Sequence, residues 1–379
     1  MPLSLCLVKM VKQTEKDVRK RKFNELRCIN NFIKYNNTYE VKTMKLFIPD
    51  IAYIDPKVLK YDAGKKVIKY LEDLKVPIIN SKKVEIDCGS PEKNYAMAKK
   101  TILFTTNGQK KLVSCRPSAD YQFSLSSSCP ANCEYCYLQT TQGEKPYMRV
   151  FLNVEEILEV IQSYIDNNAP NITSFECASI TDPVALEHLS GNLKTCIEFF
   201  GKSHNGRLRL VTKFNDVDYF LKIEHNKHTK FRFTLNTHYV INNFEHNTST
   251  FDERIEAVKK IAAAGYPIGF IIAPIMIYDN WKQEYKELFK TLKIAIADYN
   301  EEISFELIQH RFTKAAKELI VQRFKNTKLD LNEEVRQLKW GPYGKFKYVY
   351  KKPDSEDIKN YISQLINDNF NQSIIEYFT

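Results

Sequence analysis

The sequence predicts an α/β fold in which six parallel strands form an open, partial barrel. The prediction rests on a regular alternation of apolar, strand-like runs with amphipathic, helix-like stretches. Several runs are almost continuously apolar, which is typical of parallel strands buried on both faces. Six β/α units are too few for a complete eight-stranded barrel but suit an open one. The six runs are 121–126, 174–179, 207–214, 230–236, 267–275 and 303–312.

Helix-like stretches separate or follow these runs, and other segments flank them. The apolar periodicity predicts helices at 154–167, 184–201, 216–226, 251–265 and 281–299. We expect a basic, flexible extension at 1–43, a small α/β lead-in at 44–118 and the partial barrel at 119–335. The remaining residues, 336–379, are predicted to form a β-hairpin at 338–352 and a helix at 355–369 packed on the barrel.

Composition narrows the class of protein further. The chain has 379 residues, 43% of them hydrophobic, which is enough for a sizeable core. Its 56 Lys and Arg against 46 Asp and Glu give a net charge of +10, which suits a polyanionic partner such as nucleic acid. A lysine-rich surface without a partner is the alternative. Apolar runs long enough to span a membrane are missing from the sequence, and unpaired thiols fit a reducing cytoplasm.

Three of the nine cysteines, Cys129, Cys133 and Cys136, follow the first barrel strand at Cys-x3-Cys-x2-Cys spacing. Clusters used only for electron transfer normally have four cysteine ligands, so three leave one iron of a 4Fe–4S cluster open. S-adenosylmethionine (SAM) occupies that iron in radical SAM enzymes. A structural zinc site is the alternative, but it needs a fourth Cys or His. The nearest downstream candidates, Cys177 and His188, are about forty or more residues away.

Several longer segments resemble the spore photoproduct lyase family. They are CPANCEYCYLQTT, FECASITDPVALEHL, VTKF, RFTLN, AGYPIGFIIAPI, FELIQHRFTKAAK and KWGPYGKFKYVY, and the match is collinear from about Phe47 to the terminal EYFT. The resemblance implies a partial (α/β)6 radical SAM barrel with a C-terminal hairpin that enters DNA. It implies a lyase that uses a 4Fe–4S cluster and SAM to reverse the thymine dimer 5-thyminyl-5,6-dihydrothymine, the spore photoproduct, to two thymines.

The resemblance also assigns cofactor and radical-relay residues. Tyr135 and Tyr137, on either side of Cys136, match tyrosines that relay a radical between a cysteine and SAM. Aromatic packing is the alternative role for both. The residues that match the family's SAM contacts lie at or near the ends of successive predicted strands, where parallel α/β folds bind ligands. They are Thr181, Asp182, Lys213, Thr234, Asn236 and Ala273.

One position departs from the family pattern. The family usually uses a cysteine in the segment that reads FECASITD here to return a hydrogen atom to the product thymine radical, and Ser179 occupies that position in this chain. A serine O–H bond is too strong to donate a hydrogen atom readily to a carbon radical. Cys177 and Cys115 are the candidate replacements. We favour Cys115, because Cys177 lies one pleat deeper on its strand, about 6.6 Å back.

The predicted partner is DNA that contains thymine dimer lesions. A dimer must leave the stack to reach a barrel interior, and a basic, aromatic hairpin suits that task. Pro342 stands where the family tends to have a basic residue. We further expect an electron donor such as flavodoxin or ferredoxin and a cytoplasmic location in the dormant or germinating spore. The DNA-contact candidates are His310, Arg311, Lys339, Trp340, Tyr343, Lys345 and Lys347.

Two other functions remain compatible with the sequence. A radical SAM protein of the same fold that has lost lesion repair would account for Ser179. A DNA-binding module with structural zinc would account for the cysteines and the charge.

Overall fold

The main sheet of the computed structural model has eight strands, in the spatial order β17-β14-β13-β11-β10-β9-β5-β4. The structure describes residues 46–341, 344 and 346–379. The predicted extension at 1–43 and the hairpin residues Pro342, Tyr343 and Lys345 lie outside these. In chain order, the strands of the main sheet are β4 (Val113–Cys115), β5 (Ala119–Gln122), β9 (Thr173–Glu176), β10 (Gly206–Thr212), β11 (Thr229–Leu235), β13 (Ile268–Ile275), β14 (Ile303–Gln309) and β17 (Ser373–Phe378).

The predicted partial barrel is confirmed. β5, β9, β10, β11, β13 and β14 correspond to the six strand-like runs, and each pairs in parallel with its neighbours in that order. The sheet is extended at both edges, by the antiparallel β4 and by β17, which runs parallel to β14. The sequence prediction missed β17, which is a short run that directly follows a helix.

A second sheet, of order β2-β1-β3-β8-β6, carries a separate apolar core. Two of its strands, β6 and β8, come from after residue 118, so the sheet does not end at the predicted boundary of the lead-in. The proposed domain boundaries stay a prediction. The strands of this sheet are β1 (Ile51–Ile54), β2 (Ile78–Asn80), β3 (Thr101–Thr105), β6 (Ser126–Ser127) and β8 (Met148–Phe151).

Three of the five predicted barrel helices begin at the predicted residue and end within four residues of the predicted end, and the other two need correction. The predicted 184–201 helix begins as a 3-10 turn and divides at Gly191, whose φ of 66° is left-handed. Residues 216–226 form successive turns instead of a helix. The helices are α1 (Asp62–Asp73), α2 (Pro91–Ala98), α3 (Leu138–Thr141), α4 (Val154–Asn168), α5 (Glu187–Ser190), α6 (Asn192–Lys202), α7 (His238–Phe244), α8 (Phe251–Ala263), α9 (Trp281–Ala295), α10 (Lys314–Arg323) and α11 (Lys352–Asn369).

The C-terminal hairpin and helix are also present. β15 (Arg336–Trp340) and β16 (Phe346–Tyr350) pair in antiparallel fashion, and α11 packs against α9 on the outside of the main sheet. A short ladder of β7 (Asn132–Cys133) and β12 (Glu245–His246) completes the pairing. Among the described residues, the helices are all too short or too polar to cross a bilayer.

The turns at 216–226 pack so closely on α6 that a side chain at Gly201 has no room. A Cβ atom there would lie 2.4 Å from the carbonyl oxygen of Glu224. We expect Gly201→Ala to lower the free energy of unfolding by about 1–3 kcal/mol, the usual cost of overpacking. Gly108→Ala, where a Cβ would meet nothing within 4 Å, is the control. Urea denaturation measures both, and equal stabilities would contradict this close contact.

Candidate active site

The three cysteines of the Cys-x3-Cys-x2-Cys motif lie on one loop between the two sheets. All three are free of disulfide bonds. β7 carries Cys133 and pairs it with Glu245 of β12, which fixes the middle of the loop. The loop then turns back on itself, where the amide of Cys136 donates to the carbonyl of Cys133 at 3.3 Å, and α3 follows directly. The short strand pair therefore holds a segment that would otherwise have little regular structure.

A cavity of about 150 Å³ opens beside this loop, and all three cysteines line it. Four of the predicted SAM contacts also line it. Asn236 lies deeper, and its side chain is held by the carbonyl of Pro274, the amide of Thr237 and the hydroxyl of Tyr285. Ala273 is half-buried on β13 and is not among the lining residues. The four are Thr181, Asp182, Lys213 and Thr234.

The donor set fits an iron–sulfur cluster better than zinc. Burial raises the pKa of all three thiols, that of Cys129 to about 12, so thiolates here need a bound cation. Within the described ranges, no group of three Cys, His, Asp or Glu side chains is close enough together to hold a single metal ion. A cluster spreads its thiolates over separate irons and needs no such convergence. The candidate fourth zinc ligands are placed elsewhere: Cys177 is fully buried, and His188 contacts the carbonyl of Phe47.

Asp182 brings an unsatisfied polar atom to the cavity. One carboxylate oxygen accepts from the amide of Lys213 at 2.8 Å, while the other is buried and has no hydrogen-bond partner. Burial raises the pKa of Asp182 to about 6. The neighbouring Thr181 hydroxyl bonds to that of Ser126 at 2.9 Å. A buried carboxylate with an unused acceptor is ready to bind the amino group of a ligand.

Lys213 and Tyr135 meet at the buried carboxylate of Glu245, a residue that sequence reasoning missed. The Lys213 Nζ atom lies 3.0 Å from Glu245 Oε1 and 3.1 Å from the Tyr135 hydroxyl, which donates to the same carboxylate. Burial would raise the pKa of Glu245, but Arg254 and Lys213 hold it at about 2. Tyr137 lines the cavity and is 54% exposed. The two predicted relay tyrosines thus occupy different environments, one inside the fold and one at its surface.

Lys99 is a second residue that sequence reasoning missed. It follows α2, lines the cavity, and its Nζ atom donates to the carbonyl oxygens of Cys129 and Ala131. Nearby, Arg323 donates to Gln139, whose side-chain amide donates to the carbonyl of Cys133 at 3.1 Å. No local spacing reveals these residues, because they lie about 30 residues before and 190 residues after the motif.

The structure distinguishes the two candidate hydrogen donors. The Sγ atom of Cys115 lies 3.7 Å from the hydroxyl oxygen of Ser179, the residue at the family's donor position, and Ser179 lines the cavity. Cys177 is fully buried, and burial raises its pKa well above the usual value. A thiol therefore exists beside the expected donor position, although it comes from another strand.

The hairpin presents both aromatic and basic groups. Trp340 is 61% exposed and packs edge-on against Phe346, with ring centroids 4.8 Å apart. Lys339 stands directly opposite Lys347 across the strand pair. Burial and the neighbouring charge of Arg311 lower the pKa of Lys347. Like charges in opposed positions are unfavourable unless an anion joins them, so this face suits a phosphate.

His310 is placed differently from the other DNA-contact candidates. It is 2% exposed, and its ring faces Arg336 at the base of the hairpin. Its direct contact with DNA stays a prediction, as do the contacts of Tyr343 and Lys345, which lie outside the described residues.

Three unpaired cysteines at Cys-x3-Cys-x2-Cys spacing, lining a cavity of an open parallel barrel, are the arrangement of a radical SAM enzyme. The family model described as spore photoproduct lyase matches residues 47–379. Spore photoproduct lyase of Bacillus subtilis (strain 168) is 44% identical over 338 residues, which cover 88% of this chain and 99% of the relative. That of Geobacillus sp. (strain Y412MC61) is 42% identical over 341 residues, covering 89% and 100%.

Solved structures agree. A spore photoproduct lyase complexed with dinucleoside spore photoproduct matches with a TM-score of 0.85 and 41% identity, covering 88% of this chain and 100% of that one. A mutant with bound AdoMet and the same dinucleoside matches equally well, with the same identity and coverage. The chain belongs to the spore photoproduct lyase family.

Lys99 provides a test of how the cysteine loop is held. Lys99→Met removes two charge-assisted hydrogen bonds, each worth about 1.5–3 kcal/mol. We therefore expect the loop to loosen and the variant to retain less iron and sulfide per chain after anaerobic reconstitution and gel filtration. The adjacent Lys100→Met, which loses only an exposed pair with Asp50, is the control. Equal iron content in the two variants would show that Lys99 does not hold the loop.

His310 makes stability depend on pH. Burial, reinforced by Arg336, lowers its pKa to about 3. In the unfolded chain His310 binds a proton near pH 6.5, whereas in the folded chain it stays neutral at that pH. The contribution of neutral His310 to the free energy of unfolding is therefore complete above pH 6.5 and is lost as the pH falls. From about pH 7.5 to 5.5 the loss is about 1.4 kcal/mol. In urea denaturation over the same pH interval, we expect the free energy of unfolding of His310→Gln to fall by about 1.4 kcal/mol less than that of the unaltered protein. Parallel losses would contradict a neutral His310.

Proposed function

We propose that this chain is a lyase that repairs the spore photoproduct in DNA, restoring two thymines directly. The observation that carries the proposal is a cavity lined by the three cluster-type cysteines and by Ser179, with the Cys115 thiol 3.7 Å from the Ser179 hydroxyl. The similarity to spore photoproduct lyases solved with AdoMet and dinucleoside spore photoproduct supports the same cofactor and substrate here.

Cofactor binding is assigned to side chains at the cavity. Cys129, Cys133 and Cys136 hold the 4Fe–4S cluster. Asp182 and Lys213 offer opposite charges to the amino and carboxylate groups of SAM, because both line the same cavity. When bound, the reduced cluster and SAM supply a 5′-deoxyadenosyl radical, which is the part of the chemistry that belongs to the cofactor. Thr181, Thr234, Asn236 and Ala273 complete the proposed SAM contacts.

The protein's own chemical contribution is the return of a hydrogen atom. We assign this to Cys115, because an S–H bond is weak enough to donate to a carbon radical and a serine O–H bond is not. The thiol hydrogen passes to the product thymine radical, a C–H bond forms, and the odd electron remains on sulfur. Tyr135 and Tyr137 are the proposed carriers of that odd electron back toward SAM. In support, Tyr137 lines the cavity, and the Tyr135 hydroxyl accepts a hydrogen bond from Lys213, which also lines it.

DNA contact is assigned to residues 336–379 and to the adjoining end of β14. Trp340 would enter the helix beside the lesion, while Arg311, Lys339 and Lys347 neutralise phosphates. Extruding a base from the stack costs a few kcal/mol, and less where a lesion already weakens stacking. Tyr343, Lys345 and His310 complete the proposed set.

We also propose a small electron-transfer protein, flavodoxin or ferredoxin, as the reductant. The exposure of Tyr137 at the cavity supports a short path from the surface to the cluster. Unpaired cysteines throughout the described residues support a reducing compartment, and we propose the cytoplasm of the dormant or germinating spore.

One assay tests the repair activity and its main competitor. The competitor is a radical SAM homologue that has lost repair, which Ser179 favours. Reduced, reconstituted protein is incubated with SAM and the dinucleotide lesion, and products are separated by chromatography. We expect thymidylyl-thymidine. Cleavage of SAM without that product would indicate the homologue, and an iron-free protein after reconstitution would indicate the zinc module.

The same assay identifies the donor. In Cys115→Ala we expect SAM to be cleaved while products shift several-fold toward abortive adducts, because the product radical lacks its hydrogen source. Deuterium from solvent D2O should enter the repaired thymine in the unaltered protein and not in the variant. Cys88→Ala, at a half-buried cysteine in the segment that precedes α2, is the control. A product distribution unchanged by Cys115→Ala would exclude Cys115 and favour Cys177.

A further inference from the structure

Buried charged side chains link strands of the main sheet that are not neighbours. Arg232 of β11 pairs with Glu176 of β9 and with Glu306 of β14, although β10 and β13 intervene. Arg209 of β10 also reaches Glu306, at 3.1 Å, across two strands. Such contacts are possible only across the concave face of a curled sheet. The side chains of Arg232, Glu176 and Glu306 therefore fill the inside of the open barrel.

Arg232 contacts one loop directly and a second loop through Glu176, one of its two carboxylate partners. Its Nη1 atom donates to the hydroxyl of Ser118 at 2.7 Å, so the turn between β4 and β5 folds over the inside of the barrel. That turn begins at Cys115, whose carbonyl accepts from the amide of Ser118 at 2.9 Å. On the other side, Glu176 accepts from the amide of Ala178 at 3.0 Å, directly before Ser179. One guanidinium therefore anchors both loops.

These two loops meet at the cavity. Cys115 Sγ lies 3.7 Å from Ser179 Oγ. Cys115 begins the turn between β4 and β5, and Ser179 lies in the loop that follows β9. We propose that Arg232, acting through Ser118 and Glu176, is a positioning residue that holds the Cys115 thiol beside Ser179 of the cavity wall for hydrogen return. This inference rests on the proposed function, in which Cys115 is the donor.

The bonds to the loops are separable from the bonds that support the fold. Removing Arg232 would leave Glu176 buried without its cation and Glu306 with Arg209 alone. Removing one partner of a buried ion pair typically costs about 3–5 kcal/mol and endangers folding. Ser118 is half-buried and neutral, and losing its hydroxyl leaves both ion pairs in place. A Ser118 variant therefore tests positioning without dismantling the barrel.

The experiment compares Ser118→Ala with Ser118→Thr, which keeps a hydroxyl, and with Ser114→Ala on the exposed part of β4. The reconstituted proteins are given SAM and the dinucleotide lesion in D2O. We expect Ser118→Ala to lower repaired product per SAM cleaved several-fold and to reduce deuterium in the repaired thymine. Ser118→Thr should restore both values, and Ser114→Ala should match the unaltered protein.

A second readout does not depend on turnover. In the folded chain, the rate of Cys115 alkylation by iodoacetamide is measured by mass spectrometry against Cys88 as an internal reference. Release of the turn in Ser118→Ala should raise that ratio, and Ser118→Thr should bring it back. Arg232→Lys, which keeps the charge but loses the forked geometry, should give the same shift as Ser118→Ala if it folds.

The two proposals fail in different ways. If Cys115→Ala changes the product distribution but Ser118→Ala changes neither the distribution nor the alkylation ratio, the positioning role is wrong and the donor assignment stands. If Cys115→Ala changes nothing, both are wrong.

Discussion

The curl of the main sheet brings charged side chains from non-neighbouring strands into contact, and the active end of the barrel depends on it. Burying charge is costly unless each group has partners. Glu306 meets this condition with Arg209, Arg232 and the hydroxyl of Tyr377. Because Tyr377 and Glu376 lie on β17, the last strand of the chain completes the interior as well as the edge. A barrel that ended at β14 would leave Arg209 and Glu306 short of partners.

The cysteine loop also depends on partners from distant parts of the chain, because it has too little regular structure to keep its conformation alone. Lys99 arrives from the lead-in, Glu245 from the end of α7, and Arg323 from α10. Each satisfies backbone or side-chain groups of the loop from a different direction. The loop geometry is therefore set before any cofactor binds, which is the condition for a site that must place several ligands at once.

The sequence contains most of the fold because the barrel strands are long, apolar and separated by amphipathic helices. β17 escaped prediction because its sequence, SIIEYF, does not alternate between apolar and polar residues, and its apolar residues are only partly buried at a sheet edge. The false helix at 216–226 arose because Val217 and Phe220 are buried at helical spacing, yet the chain reaches them through turns. Helical spacing of apolar residues is necessary for an amphipathic helix but does not establish one.

The residues of the candidate site likewise fall into those that the sequence predicts and those that only the folded structure reveals. The cysteines are readable because cluster ligands follow a local spacing, whereas Lys99 and Glu245 become partners only through folding. Ser179 is the most instructive position, because a serine at the usual donor position, taken by itself, supports a homologue that has lost lesion repair. A hydrogen donor is defined by where its thiol lies and not by which strand supplies it. The serine at 179 means that the usual donor thiol is missing from that position. The Cys115 sulfur, however, lies only 3.7 Å from the Ser179 hydroxyl, so a thiol is still present beside it. The serine is therefore weak grounds for lost repair, and a relocated donor explains it with fewer assumptions.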